Sequence, residues 1–351
     1  MVPRTVLTPL SDALALLLAA LPAPQPQVLP LEAAAGLVSA ATILASDPIP
    51  AHAIAQRRGV AVTASELVGA SPYAPVMLSI PPKPVLPGDA LPPSRDAVLP
   101  PDAVNADGPF HEIGQPAYPG EGAVLPGADL SAGSAIVRAG ETLTPAILLA
   151  LRLAGIDEAS VLAPAVAVTW ADGEANASPD IEWLRAALSA AGCRLVAASA
   201  AELVVRVARD IDAATASWST TRISGLALNP GGETAIDAGA ARPIVAVAPR
   251  FDAMVGVFLG VLLPFIAART GRRLRGVTRP LTRKLVSQVG FTDIALLRDT
   301  ADGYEPLSTG RAPLAALLAA DAAAIIDPGS EGAAAGMLLD ATPLREPLEP
   351  Q

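Results

Sequence analysis

Two carboxylates, Asp172 and Glu174, follow the apolar run Val166–Thr169, which reads as a buried strand of a parallel sheet. Ligands of such sheets collect beyond the carboxyl ends of the strands, so this pair stands where it can orient a ligand or move a proton. The plain alternative is two solvated loop carboxylates. Asp180, after Ser178-Pro179, either caps a helix that begins there or faces the same edge. Asn229-Pro-Gly-Gly232 is a turn whose Gly231 and Gly232 leave backbone N–H groups free to nest an anion. Ser308-Thr-Gly-Arg311 offers a hydroxyl and a guanidinium to an oxyanion, with an ordinary β-turn as the competing reading. Arg269, Arg272, Arg273, Arg275, Arg279, Arg283 and Lys284 form a basic run with no acid among them. Helix C-terminal capping plus a solvated link between domains accounts for it; an anion site is the alternative.

Composition narrows what these residues can do. With 34 acidic against 24 basic side chains the net charge is −10, which argues against general nucleic-acid binding. Cys193 is the only cysteine, excluding a disulfide framework and any CxxC zinc site. It follows Gly192 at the start of an apolar strand, where a thiol is buried and inert. His52 and His111 lie far apart among prolines and glycines, so a multi-histidine metal centre is excluded and no metal site is assigned. No residue is assigned a catalytic role. Hydrophobic residues make up 52%, enough for folded domains with a sizeable core. Ala13–Leu21 has the apolar character of a signal-peptide core, but Asp12 precedes it and the Leu spacing after Ser11-Asp12 is helical. Met254–Ala268 is apolar throughout, contains Pro264, and falls short of the roughly 20 residues of a membrane span. It is predicted to be a buried helix, and the protein to be cytoplasmic with no membrane partner.

The elements that must hold these residues change character along the chain. Leu10–Ala20 and Leu31–Ala45 read as helices separated by the Pro-rich Leu21–Pro30. From Asp47 to about Pro126 prolines cluster between short β-type runs such as Val60–Thr63 and Val76–Ile80, predicting short, edge-like strands. Ala135–Val137 and a helix from about Pro145 to Ala154 follow. From Pro164 strands alternate with helices: Val166–Thr169, the helix Ile181–Ala191 stopped by Gly192, Leu195–Ala198, then Ile244–Ala248 leading into the long apolar helix. That alternation predicts a parallel, doubly wound sheet. The remainder, with strands Ile294–Arg298 and Ala323–Ile326, reads as β-rich.

The order of segments resembles the molybdopterin molybdotransferase family, of the MoeA and gephyrin E-domain type. Thr8–Leu17 is similar to that family's first helix. The most diagnostic stretch is Pro119–Gly133, continuing to Arg138-Ala-Gly140, Leu143 and Pro145, with glycines spaced for successive tight turns. Pro164–Glu174 resembles the family's strand ending in T-G-D-E, and Gly225–Thr234 its G-V-A-V-K-P-G-K-P-T. Ala320–Gly329, followed by Gly336, resembles the end of its last domain. The resemblance implies a multi-domain α/β and β fold with a MogA-like doubly wound domain, a small β-rich domain and a β-rich C-terminal domain. The corresponding ranges are 5–48 with 127–163 for a discontinuous first domain, 49–126, 164–274 and 275–351. It also implies a homodimer, a role in molybdate insertion into adenylylated molybdopterin, Mg²⁺ as cofactor, and a molybdenum enzyme as client. Asp172, Glu174, Asp180, Asn229, Gly231, Gly232, Ser308 and Arg311 are then the cofactor-binding candidates.

Several of the family's site residues are replaced. Where the family carries D-N-S-A-M-D-G-Y-A-V, this chain reads Ala53–Val62, with Arg57 and Arg58 in place of aspartates. A carboxylate able to hold a cation or move a proton has become a fixed positive charge. Where G-G-x-S-x-G-x-x-D is expected, Val207–Thr215 has no glycine to bring backbone N–H groups against phosphate. The stretch from Cys193 to Gly225 is also short for a strand–helix–strand unit. The lysine of K-P-G is Asn229, which exchanges a charge-assisted contact for a neutral one. These replacements predict a diverged member that handles the cofactor with transferase activity weakened or lost. The alternative is a non-catalytic dimeric scaffold that kept the fold and lost the ligand.

Overall fold

Strands buried on both faces are written as continuous apolar runs, and the second half of the chain supplies several. The computed structural model describes residues 7–78, 80–107, 110–171, 178–218 and 222–350. They form two compact units. The first is built from residues up to 41, 139–143 and from 159 onward; the second from 42–138 and 144–158.

In the first unit, β1 (Ala165–Trp170), β2 (Arg194–Leu195), β3 (Leu203–Val207) and β7 (Ile244–Val247) make the parallel core of a six-stranded sheet. It is completed by β4 (Arg222–Ser224) and β6 (Ala235–Asp237). The order is β2-β1-β3-β7-β6-β4, with the last two strands antiparallel. Helix α2 (Pro179–Ala190) follows β1 and buries Ile181, Leu184 and Leu188, one stripe of a 3.6-residue repeat; Gly192 at φ +96° ends it. Helix α1 (Leu10–Ala19) buries Leu10, Ala13 and Leu17 in the same core. Alternation along β1 and β3 sends Val166, Val168, Leu203, Val205 and Val207 to these helices. The opposite face carries only a small cluster of Ala167, Ala201 and Val204, with Val196 and Ile244 packed against it. The short segment after β3 leaves room for only α3 (Ile211–Thr215) there.

The long helix α4 runs from Phe251 to Thr270, 20 residues rather than the shorter run expected, because residues 251–253 and Arg269-Thr270 join it. By length and composition it can cross a membrane, but 72% of its most apolar window is buried within the chain. Its middle, Phe258–Leu262, is a π-helical turn just before Pro264, which has no N–H to donate. Trp183 of α2 meets Phe251 and Phe258 of α4 edge-on, at 5.4 and 5.9 Å.

A second sheet in this unit runs β5 (Leu228–Asn229), β9 (Thr292–Thr300), β11 (Ala322–Ile326), β12 (Leu338–Pro343), β8 (Val277–Pro280), with β10 (Gly303–Thr309) also paired to β9. Strand β5 is parallel to β9 and places Asn229 beside Asp293. A helix α5 (Leu314–Ala319) lies between β10 and β11 in sequence.

The helix expected over Leu31–Ala45 is absent. One turn, Leu31–Ala34, ends where Gly36 takes φ +77°, and Val38-Ser39 and Ile43-Leu44 become strands. Ala and Leu propensity lost there to strand pairing with Val161-Leu162 and Ala135–Val137. The strand expected over Leu195–Ala198 is likewise shorter, giving way to a 3₁₀ turn at Ala198–Ala200.

The second unit holds the Pro-rich stretch. Gly59–Val62 is the centre of one three-stranded antiparallel sheet, and Phe110–Ile113 of another. Helix Pro145–Leu153 starts where expected, with the Thr144 hydroxyl accepting from the Ile147 N–H at 3.4 Å.

Gly256 within α4 and Gly271 just after its end separate steric need from conformational need. A Cβ on Gly256 would sit 1.8 Å from the Pro230 carbonyl oxygen, whereas Gly271, at φ +63°, has open space around it. Gly256→Ala is expected to destabilise the protein by about 3 kcal/mol, since neither backbone can yield. Gly271→Ala should cost roughly 1 kcal/mol from left-handed strain alone. Urea midpoints of the two variants, at unchanged m-value, check the difference.

Candidate functional site

The carboxyl ends of the parallel strands open on a cleft of about 540 Å³. Its walls include Arg209, Asp210 and Asp212 from the corner after β3, Ser224-Gly225 at the end of β4, and Gly232-Glu233. The corner contains no glycine, as the sequence shows, and the chain turns instead by capping. Asp210 accepts from the Ala213 N–H at 2.9 Å, closing the first turn of α3. Where a phosphate cradle would present N–H groups, the cleft presents carboxylates. Arg209 places its guanidinium 5.9 Å over the Trp170 ring at the end of β1. At the start of α4, Arg250 bonds Asp252 at 2.7 Å; that hydrogen bond and charge, with Glu233 adding, hold the guanidinium still more firmly protonated.

Among the candidates, Asp172 and Glu174 lie outside the described residues. Asp180 sits in the first turn of α2, where its charge favours the helix dipole. Gly232 lines the cleft, whereas Gly231, at φ +119°, packs against Val257 of α4. The carbonyls of the Asn229 turn are engaged: the Thr234 N–H donates to Gly231 O at 3.0 Å and the Leu226 N–H to Gly232 O at 3.0 Å.

Asn229 and the Ser308–Arg311 turn are brought together, but around a protein group. Asp293, 3% exposed, accepts from Asn229 Nδ2 at 3.0 Å, Ser287 Oγ at 2.8 Å and the Gln288 N–H at 2.9 Å. A Cβ on Gly310 would lie 3.0 Å from the same carboxylate, so the turn passes directly over it. Ser308 Oγ donates to Arg311 O at 2.8 Å, a bond internal to the turn. Asp293 was not among the candidates. Its signal in the sequence is a lone carboxylate inside the apolar run Thr292–Leu297.

The basic run is tied into the fold. Arg269 pairs with Glu202 and donates to Pro22 O; Arg272 donates to Leu348 O. Arg273 meets Glu349, its cross-strand partner, at 2.9 Å, and Arg275 meets Glu346 at 3.3 Å. Arg279 pairs with Asp299, and Arg283 donates to Pro306 O. These contacts are neither helix caps nor a solvated link: Arg272, Arg273 and Arg279 lie in strands, and acids and carbonyls distant in sequence supply the partners that the local sequence lacks.

In the second unit Arg57 has become structural. Its Nε and Nη2 donate to Val98 O at 3.0 and 2.6 Å, and Nη2 meets Glu121 at 3.2 Å. Gly122 makes room, since a Cβ there would lie 2.5 Å from Arg57 Nε. Cys193 is buried, and burial pushes its thiol pKa well up, consistent with an inert core residue. Among the described residues no three Asp, Glu, His or Cys side chains are grouped to hold a metal ion, so the described part of the edge does not fit Mg²⁺ on its own.

Replacing Arg57 by alanine is expected to lower stability by about 1–2 kcal/mol, by leaving Val98 O and Glu121 without their donor. Arg57→Lys should recover part of the loss, because one ammonium cannot reproduce the fork. Thermal unfolding of both variants measures the order.

Comparison with known proteins places this geometry. Residues 8–155 match the family profile of the MoeA N-terminal region (domain I and II). Molybdopterin molybdenumtransferase 2 of two Mycobacterium tuberculosis strains is 28% identical over 172 residues. That alignment covers 44% of this chain and 42% of the relatives' own length. A molybdopterin biosynthesis MoeA protein of Pyrococcus horikoshii superposes with a TM-score of 0.67 at 21% identity, over 97% of this chain and 99% of its own. A molybdenum cofactor biosynthesis protein of Pyrococcus furiosus does so with 0.59 at 15% identity, over 96% and 100%. The sheets and the near end-to-end superposition show a MoeA-like fold, and residues 8–155 carry the match to the MoeA N-terminal region.

Proposed function

We propose that this protein serves molybdenum cofactor biosynthesis or handling in the cytoplasm, binding molybdopterin at the carboxyl edge of the parallel sheet without efficient molybdate insertion. The observation that carries this is the corner after β3. It lines the cleft with Arg209, Asp210 and Asp212 and has no glycine to bring backbone N–H groups onto a phosphate. Asn229 supports it, because its amide is spent on Asp293. Asp172, Glu174, Asp180 and Gly232 remain the proposed ligand contacts, with Ser308 and Arg311 at the neighbouring turn. The protein is proposed to act as a homodimer, with a molybdenum enzyme as its client. The alternative is the scaffold reading, a fold kept without its ligand.

Expression in a host lacking its own molybdotransferase tests catalysis, read as nitrate reductase activity at limiting molybdate. No restored activity is expected, with soluble dimer confirmed by sedimentation; restoration would refute the loss of transfer. Titration with molybdopterin then decides between handling and scaffold: saturable binding supports the first, and none the second.

A further inference from the structure

The thinly covered face of the parallel sheet holds a groove of about 690 Å³, within the size range of small-molecule sites. Among the described residues its lining shares none with the cleft at the carboxyl ends. Thr169 and Arg206 are neighbours across β1 and β3 in register, on the face opposite the helices. Arg206 is half-buried and has no hydrogen bond or ion pair among the described residues. The Thr169 hydroxyl is sealed from solvent and also lacks a partner. Arg242 borders the same groove, anchored to Ser199 O at 2.6 Å. In a chain of net charge −10, none of the described residues lining this groove is acidic. Arg57, Arg250, Arg269, Arg272, Arg273, Arg275, Arg279 and Arg283 are tied to carbonyls or carboxylates; Arg206 is not. Trp170, Val204 and Ile244 add aromatic and aliphatic wall.

We propose that this groove is a binding site for a small organic anion, a phosphate or carboxylate group on an aromatic or aliphatic body. Arg206 meets the anion, Arg242 strengthens the field, and the apolar wall takes the body. A half-buried guanidinium with no counter-charge is poised for such a partner, and its fork suits two oxygens at once. The free Thr169 hydroxyl beside it gains an acceptor when an anion oxygen arrives. The site is independent of the molybdopterin reading.

Calorimetric titration of the full chain with phenyl phosphate, benzoate and inorganic phosphate tests it. Phenyl phosphate or benzoate should bind saturably in the millimolar range or tighter, and inorganic phosphate more weakly, since it lacks a body. The tighter of the two aromatic probes identifies the anionic group. Arg206→Gln should weaken binding about tenfold or more, and Thr169→Val severalfold, with far-UV circular dichroism unchanged. If Arg206→Gln does not fold, the surface variant Arg242→Gln carries the test, with a severalfold loss expected. Absence of saturation by every probe, or unaltered binding in the variant that folds, overturns the proposal.

Discussion

A carboxylate shut away from water has to be met by donors, and the way Asp293 is met organises the first unit. Its oxygens take the Asn229 amide from β5, the Ser287 hydroxyl and the Gln288 N–H, and the 308–311 turn passes over them at Gly310. Hydrogen bonds to a charged group contribute about 1.5–3 kcal/mol each, and a buried charge left short costs about 3–5 kcal/mol. Asn229 therefore cannot be turned toward a ligand without exposing Asp293 to that cost. Strand β5 is only Leu228-Asn229, and this side-chain bond adds to its parallel pairing with β9.

Other positions where the family carries site residues are also taken up by the fold. Arg57 clamps the Val98 carbonyl and Glu121 within the second unit. The corner after β3 closes by an Asp210 cap. Helix α4 lies so close to the turn after Asn229 that Gly256 meets Pro230 backbone to backbone. A MoeA-like fold does not by itself carry the transfer chemistry, because a fold is fixed by packing and a reaction by its site.

Much of the fold was legible because its signals are local and repeated. The apolar runs at Val166–Thr169 and Ile244–Ala248, the stop at Gly192 and the Thr144-Pro145 helix start all lie within a few residues of what they specify. Leu31–Ala45 misled for the opposite reason: its helix-forming composition is overridden by strand pairing with residues more than a hundred positions away. The basic run was legible only in part. No acid stands near Arg273 or Arg279 in sequence, and their partners Glu349 and Asp299 are set by strand pairing. Asn229 was singled out as a ligand contact, but its partner Asp293 is 64 residues away, so the sequence could show the missing lysine and not what the asparagine does instead.

The central claim is that Asn229 serves Asp293 and not a ligand. A double-mutant cycle on Asn229→Ala and Asp293→Ala, read by urea unfolding, tests it most directly. The account predicts a coupling of about 1.5–3 kcal/mol, the size of a hydrogen bond to a buried charge. Additive losses, with no coupling between the two sites, would contradict it.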